Sequence, residues 1–280
     1  MRLQVTLTVA ESKRIIAKSI VKRKDVQRAF QKGRILLKGG TTVSAVSEEI
    51  IDQKLRIGGR ISPRGTMNAR KKYDQSHSIL VENGKYSGID KSIEEVTGNL
   101  HRDDVIIVSA NAIDVYGDAA MMAAAPLGHN PGKAISGFSS QGTKVIIAVG
   151  LEKLIPGRVR DAIQASGRSS IDKSMGAAVG LIPLVGEIVT EKEALEGLAD
   201  VSVTVVAAGG IDGAEGSTTL VVEGKDEEVE TILQTILGIK GSKTSGTPES
   251  LVECEGGCPQ CGKHNACIYK NEADLTSKKE

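Results

Sequence analysis

The chain has 280 residues, 36 Lys and Arg against 35 Asp and Glu for a net charge of +1, 40% hydrophobic residues and only 2% aromatic ones. Near-neutral charge with no Trp, two Phe and four Tyr disfavours a nucleic-acid binder, which relies on basic surface and aromatic platforms. No apolar run reaches the roughly 18 residues of a membrane span, and the start MRLQVTLTVAESKR lacks a signal-peptide core, so a cytoplasmic protein without a membrane partner is expected.

From Glu11 to Gly33, apolar residues recur at Ile15, Ile16, Ile20, Val21, Val26 and Phe30, close to helical spacing, which predicts one or two helices ending at the glycine. Arg34 to Lys38 (RILLK) reads as a short buried strand. Gly39-Gly40-Thr41-Thr42 follows it, and then the helical stretch VSAVSEEIIDQ, giving a strand, glycine turn and helix in succession. Residues 56–75 are rich in Gly, Arg and Lys; Arg56, Arg60, Arg64, Arg70, Lys71 and Lys72 there read either as an anion- or RNA-facing loop or as solvated surface. A short strand at 79–82 and a helix at 91–97 come next.

The clearest strands are DVIIVS (Asp104 to Ser109) and KVIIAV (Lys144 to Val149), continuous apolar runs that suit a parallel sheet covered on both faces. Beyond about residue 190 the pattern changes to helix 191–198, strand 201–206, the glycine-rich loop 207–217, strand 218–223 and helix 226–237. The expected fold class is therefore α/β, a parallel Rossmann-like sheet with a small α+β subdomain and a C-terminal metal-cluster loop. The expected division is an α/β domain over 1–190, the small subdomain over 191–240, and a linker, cluster loop and tail over 241–280. GSKTSGTPES (241–250) reads as linker by composition, and Asp274 to Glu280 as a solvated tail.

All four cysteines lie between residues 254 and 267, spaced C-x3-C-x2-C-x5-C, which is not how disulfides staple a secreted fold. Cys254, Cys258, Cys261 and Cys267 are candidate metal ligands: four soft thiolates on loops loosened by Gly256, Gly257 and Gly262 suit a [4Fe-4S] cluster, with structural zinc as the alternative. His264, inside the loop, reads either as a hydrogen-bond donor behind the ligands or as an exposed loop residue. The first three cysteines share the spacing of radical S-adenosylmethionine enzymes, but Cys267 would close the cluster. The last three resemble the C-terminal cluster loop of endonuclease III and its glycosylase relatives, a resemblance limited to that loop.

At the N-terminal side, Lys38, Gly39, Gly40, Thr41 and Thr42 sit where a strand gives way to a helix, the place where free N–H groups and the helix dipole attract an anion; Ser44 adds a further hydroxyl. An ordinary turn with a threonine cap is the other reading. The order ESKRIIAKSIV with ILLKGGTT, then DDVIIVSANAIDVYGDAA, then KVIIAVGLEKLIP resembles the superfamily of glucosamine-6-phosphate deaminase, ribose-5-phosphate isomerase, sugar-responsive repressor effector domains and CoA-transferases, over roughly residues 10–156. The resemblance implies that Thr41 and Thr42 hold a phosphate, that Asn111, Asp114 and Gly117 form a turn facing the substrate, and that Glu152 and Lys153 close the site, with Asp114, Glu152 and Lys153 as the catalytic set. Asn111 stands where the pattern has an acidic residue. Asp114 also reads as a stabiliser of the turn to Gly117, and Lys153 as a strand-end cap.

The expected function is an iron-sulfur protein whose α/β domain binds, and isomerises or otherwise transforms, a phosphorylated or anionic small molecule. The alternative is a non-catalytic metabolite or redox sensor. Partners expected beside the ligand are a redox protein and further copies of the chain; tRNA or other nucleic-acid processing is the weakest reading.

Overall fold

The computed structural model describes residues 1–68, 75–253 and 264–271. In chain order the chain forms β1 (Arg2–Leu7), α1 (Val9–Lys22), α2 (Lys24–Lys32), β2 (Arg34–Lys38), α3 (Thr41–Ile51), β3 (Gly59–Ser62), β4 (Gly65–Asn68), β5 (Ser78–Glu82), β6 (Lys85–Gly88), α4 (Ile93–Gly98) and β7 (Val105–Val108). It continues with β8 (Ala112–Ile113), β9 (Ala119–Ala123), α5 (His129–Lys133), α6 (Ile135–Ser140), β10 (Lys144–Ala148), α7 (Val159–Ala165), β11 (Gly180–Leu184), β12 (Glu187–Val189), α8 (Glu191–Leu198), β13 (Val201–Gly209), β14 (Ser217–Gly224) and α9 (Asp226–Leu237).

The centre is a six-stranded sheet in the order β12-β10-β7-β2-β5-β6. β12, β10, β7 and β2 run parallel, while β5 and β6 are antiparallel, so the sheet is mixed where an all-parallel one is expected from the sequence. The cause is local. Asn83 and Gly84 both take positive φ (50° and 69°), the conformation of a two-residue hairpin turn whose twist matches the strands it joins, and they fold β6 back on β5. The apolar runs of the parallel strands alternate between two faces, as continuous hydrophobic strands must. Leu37, Ile107 and Ile146 lie in one core with α1, α3 and α8; Leu36, Ile106 and Val145 lie in a second with α4 and α6. Truncating a member such as Ile107, fully buried, to Ala costs about 2–5 kcal/mol.

The caps explain where two helices start. Thr8 and Glu11 close a reciprocal box at the start of α1, with Thr8 N–H donating to Glu11 Oε2 at 2.9 Å; Thr190 and Glu193 do the same for α8. The small α+β unit expected over 191–240 is closed by a strand from the other end of the chain. β1 pairs with β14, and Leu7, Leu220, Val222 and Ile232 share one core with Ile15 and Leu37 of the main layer. A boundary at residue 190 therefore separates chain segments and not hydrophobic cores.

Segment 241–250, read as linker from its composition, is a packed strap. Ser245 Oγ meets Ser44 Oγ at 2.6 Å, Thr247 N–H donates to Leu55 O at 3.0 Å, and Ser250 Oγ accepts from Ile57 N–H at 3.0 Å. The small hydroxyl residues that suggest flexibility satisfy the backbone of 55–57, which belongs to no strand or helix, in a buried setting. Among the described residues no helix is long and apolar enough to cross a membrane.

Candidate functional site

The four parallel strands point their C-terminal ends to one edge of the sheet, where open α/β sheets bind ligands. Lys38 ends β2, Ser109 follows β7, Gly150 to Lys153 follow β10, and Thr190 and Glu191 follow β12. The residues the sequence singles out in the α/β domain lie at or beyond these strand ends.

Gly39 and Gly40 are required by close approach. A Cβ on Gly39 would stand 2.2 Å from His77 O and 2.4 Å from its ring, and one on Gly40 would stand 3.1 Å from Ser109 Cβ. The turn thereby delivers the first N–H groups of the eleven-residue α3 to the sheet edge, with Ser44 N–H closing the first helical bond onto Gly40 O at 2.8 Å. Thr41 and Thr42 lie in that first turn. Ser44, counted from the sequence as a ligand hydroxyl, is engaged instead: it accepts from Leu55 N–H at 3.0 Å and pairs with Ser245.

Lys38 is 7% exposed and has no hydrogen-bond or ion-pair partner among the described residues. Its neighbours in register are Val108 on β7 and Ser78 on β5, and Ser78 Oγ is itself buried without a partner among the described residues. Burial pushes the ammonium down to about 8, because nothing at hand stabilises the charge. His77 precedes Ser78. Its Nδ1 lies 2.9 Å from Arg56 O, a carbonyl that can only accept, so Nδ1 carries the proton and Nε2 keeps its lone pair. Burial and then the charge of Lys38 push His77 down to about 4, so it is neutral near pH 7. Asp90 holds this corner, accepting from His77 N–H, Ser78 N–H and the Arg56 guanidinium at 2.9, 2.7 and 3.0 Å. His77 and Asp90 belong to no recognisable sequence spacing and are brought to this corner only by the fold.

A second group converges beyond β10. Glu152 faces Lys13 of α1 at 3.5 Å, and both its carboxylate oxygens are buried without a hydrogen-bond partner. The carboxylate folds back over Gly150, where a Cβ would come within 1.9 Å of Oε2. Beside it Glu191, 1% exposed, accepts from Ser12 Oγ at 3.1 Å, Thr218 Oγ1 at 2.8 Å and Leu151 N–H at 2.8 Å. Burial raises the Glu191 carboxyl; burial also lowers the Lys13 ammonium against the opposing pull of Glu152. Gly216 of the 207–217 loop packs on Val9 and Glu152, so that loop's close approach is to this cluster. Lys13 and Glu191 were not selected from the sequence, although the capping-box signal at Thr190 locates α8.

Asp114 and Gly117 share the turn between β8 and β9, and Asn111 stands at the foot of that hairpin, which is set beside 151–155 by the hydrogen bond of Ile155 N–H to Ile113 O at 2.9 Å. Its polar atoms are spent internally. Asn111 Oδ1 accepts from Met122 N–H, and Asp114 accepts from Tyr116, Asp118 and Val159 N–H at 2.9, 3.0 and 2.9 Å. The Val159 bond first, then those of Asp118 and Tyr116, hold the Asp114 carboxyl below its usual range, which favours a structural acceptor over a proton-transfer group. Of the expected catalytic set, Glu152 and Lys153 remain at the strand end without such ties.

The described members of the basic loop bind the protein itself. Arg56 reaches Gln75 O and Asp90, Arg60 reaches Ser250 O and Val252 O, and Arg64 lies 4.2 Å from the Tyr269 ring centroid. Arg70, Lys71 and Lys72 lie outside the described residues, as do Cys254, Cys258 and Cys261 and the 274–280 tail. Cys267 is buried and fixed by backbone pairing: Ser174 N–H donates to Ala266 O at 2.8 Å and Ile268 N–H to Ser174 O at 3.0 Å. His264 is 6% exposed, which rules out the exposed-loop reading, and burial lowers its pKa.

A cleft of about 530 Å³ lies elsewhere, lined by Ala123, Leu127, Arg168, Leu181 and Ile182 among others. It is apolar and wide open, and none of the unpaired polar groups borders it, so the strand-end edge is the better candidate. No family model, curated protein or solved structure matches the chain.

Proposed function

We propose that this protein binds a phosphorylated or otherwise anionic small molecule at the C-terminal edge of its parallel strands and carries a metal centre on its four cysteines. The observation that carries the first part is Lys38, a buried cation with no counter-charge among the described residues, one residue before the glycine turn that opens α3. A buried ammonium left alone is costly, and an anion held by Lys38 together with the α3 N–H groups would offset that cost. Glu152 and Lys153 are the proton-transfer candidates, Glu152 because its buried carboxylate, ion-paired to Lys13 at 3.5 Å, makes no hydrogen bond and can accept one from a substrate hydroxyl. Asp114 is left out of that role. The implied relation is to phosphosugar isomerases and deaminases, with a Rossmann-like α/β domain; metabolite sensing by the same residues is the second reading, favoured if binding occurs without turnover.

The cysteines suit a [4Fe-4S] cluster: Cys254, Cys258, Cys261 and Cys267 would hold it, and Cys267 already occupies a dry, anchored position. A cluster with four protein ligands supplies electron transfer or structural bracing.

Two measurements test the proposal. Inorganic phosphate or a phosphosugar should raise the melting temperature of the wild type and leave Lys38→Met unmoved; equal shifts in both would remove Lys38 from the site. Anaerobically purified protein should be brown and contain about four irons and four sulfides per chain, and Cys261→Ser should lose them. Colourless protein with stoichiometric zinc would replace the cluster with the structural alternative.

A further inference from the structure

A lysine used only to neutralise an anion works best fully charged, on a strand end open to water or beside a carboxylate that keeps it protonated. Lys38 has neither setting. It is enclosed between β5 and β7, with Ser78 and Val108 as its register neighbours and no acceptor among the described residues. The charged groups of this corner are Arg56 and Asp90, with the neutral His77 beside them. Asp90 is already held by the Arg56 guanidinium and two backbone N–H groups, so it offers Lys38 no ion pair. His77 packs its ring against Gly39, with Nδ1 turned to Arg56 O and the lone pair of Nε2 unused by any described residue. An unpaired amine and the glycine turn that opens α3 thus adjoin at one strand end, with the neutral His77 ring packed on that turn.

We infer that Lys38 is a nucleophilic amine that condenses with the carbonyl carbon of an anionic aldehyde or ketone, forming an imine at the end of β2. This rests on the anion-binding reading above and adds the substrate's functional group. The ammonium first releases one proton to solvent. The Nζ lone pair then attacks the carbonyl carbon; the C–N bond forms as the C=O π pair moves to oxygen, which takes a proton from nitrogen. The resulting hydroxyl leaves as water, taking one proton back from solvent, and the nitrogen lone pair closes the C=N bond as an iminium. One water is released, the positive charge is retained, and no oxidant or reductant takes part. Burial makes this feasible near neutral pH, since an amine titrating at about 8 is deprotonated in about a tenth of molecules at pH 7, roughly three-hundredfold more than an ordinary lysine.

The test is reductive trapping on the full-length, anaerobically purified protein. Pyridoxal 5′-phosphate, an aldehyde that carries a phosphate, is added at less than one equivalent with sodium cyanoborohydride, and the adduct is mapped by peptide mass spectrometry. Lys38 should be labelled at least tenfold over any other lysine, and inorganic phosphate should suppress the label. Lys38→Arg, which keeps the charge but cannot form the imine, should lose the label yet still gain melting temperature from phosphate. Labels spread over surface lysines with Lys38 unmodified overturn the inference. If phosphate still stabilises the wild type in that case, anion binding survives without imine chemistry; if it does not, both readings fall. A Lys38 label that phosphate does not suppress keeps the amine and removes the phosphate contact.

Discussion

β2 is five residues long and has a cation at each end, and the two ends are treated in opposite ways. At its start, Arg34 lies 2.8 Å from Asp104, whose carboxylate also accepts the backbone N–H of Arg34 and of His101 at 2.8 Å each. At its finish, Lys38 is buried without a partner among the described residues, and its register neighbour on β5, Ser78, has a buried hydroxyl that makes no hydrogen bond there. The same strand thus shows a charge placed to hold the fold together and a charge the fold leaves uncompensated. Proteins retain the second kind where a site needs it, at the expense of stability.

Substitutions at the two ends should therefore move stability in opposite directions. Asp104→Ala should be the most damaging, lowering the unfolding free energy in urea by about 3–5 kcal/mol, because Arg34 and two backbone N–H groups lose a buried acceptor together. Lys38→Met should stabilise the ligand-free protein at pH 7 by about 3 kcal/mol, the cost of holding a charge whose pKa has moved from 10.5 to about 8. The sign also fixes the pH dependence. Between 8 and 10.5 the folded state has released the Lys38 proton while the unfolded chain still binds it, so wild-type stability should rise with pH across that window. The Lys38→Met curve should lack that rise. A destabilised Lys38→Met at pH 7 would mean that the ammonium has a partner after all and would erase the contrast. Ser78→Ala should have the smallest effect, a gain of up to about 1 kcal/mol from deleting a buried hydroxyl that makes no bond; a loss would show that the hydroxyl has a bonding role.

Much of the scaffold was legible in the residues. The apolar runs of β2, β7 and β10, the helices at 191–198 and 226–237 and the glycine turn after Lys38 all follow from local pattern. β6 was missed although its Asn83-Gly84 turn is a strong hairpin signal. β1 was missed although Leu3, Val5 and Leu7 alternate with polar residues at strand spacing; its pairing with β14, more than 200 residues away, is what no local pattern encodes. The site was legible in part. Strand-end residues are named by the pattern itself, yet Asp114 turned inward because three backbone N–H groups reach it. Lys13 and Glu191 entered because α1 and α8 pack beside the end of β10, which no spacing encodes.

The sequence by itself determined which segments are the apolar strands of the parallel sheet and where the later helices lie, and it placed four thiols within fourteen residues, because periodicity, caps and residue spacing act over short stretches of chain. Only the tertiary structure decided which charges have partners. Arg34 meets Asp104, Lys13 meets Glu152, and Lys38 meets none among the described residues, because pairing is fixed by register and packing between segments far apart in the chain. That difference marks the end of β2 as the place to look for chemistry.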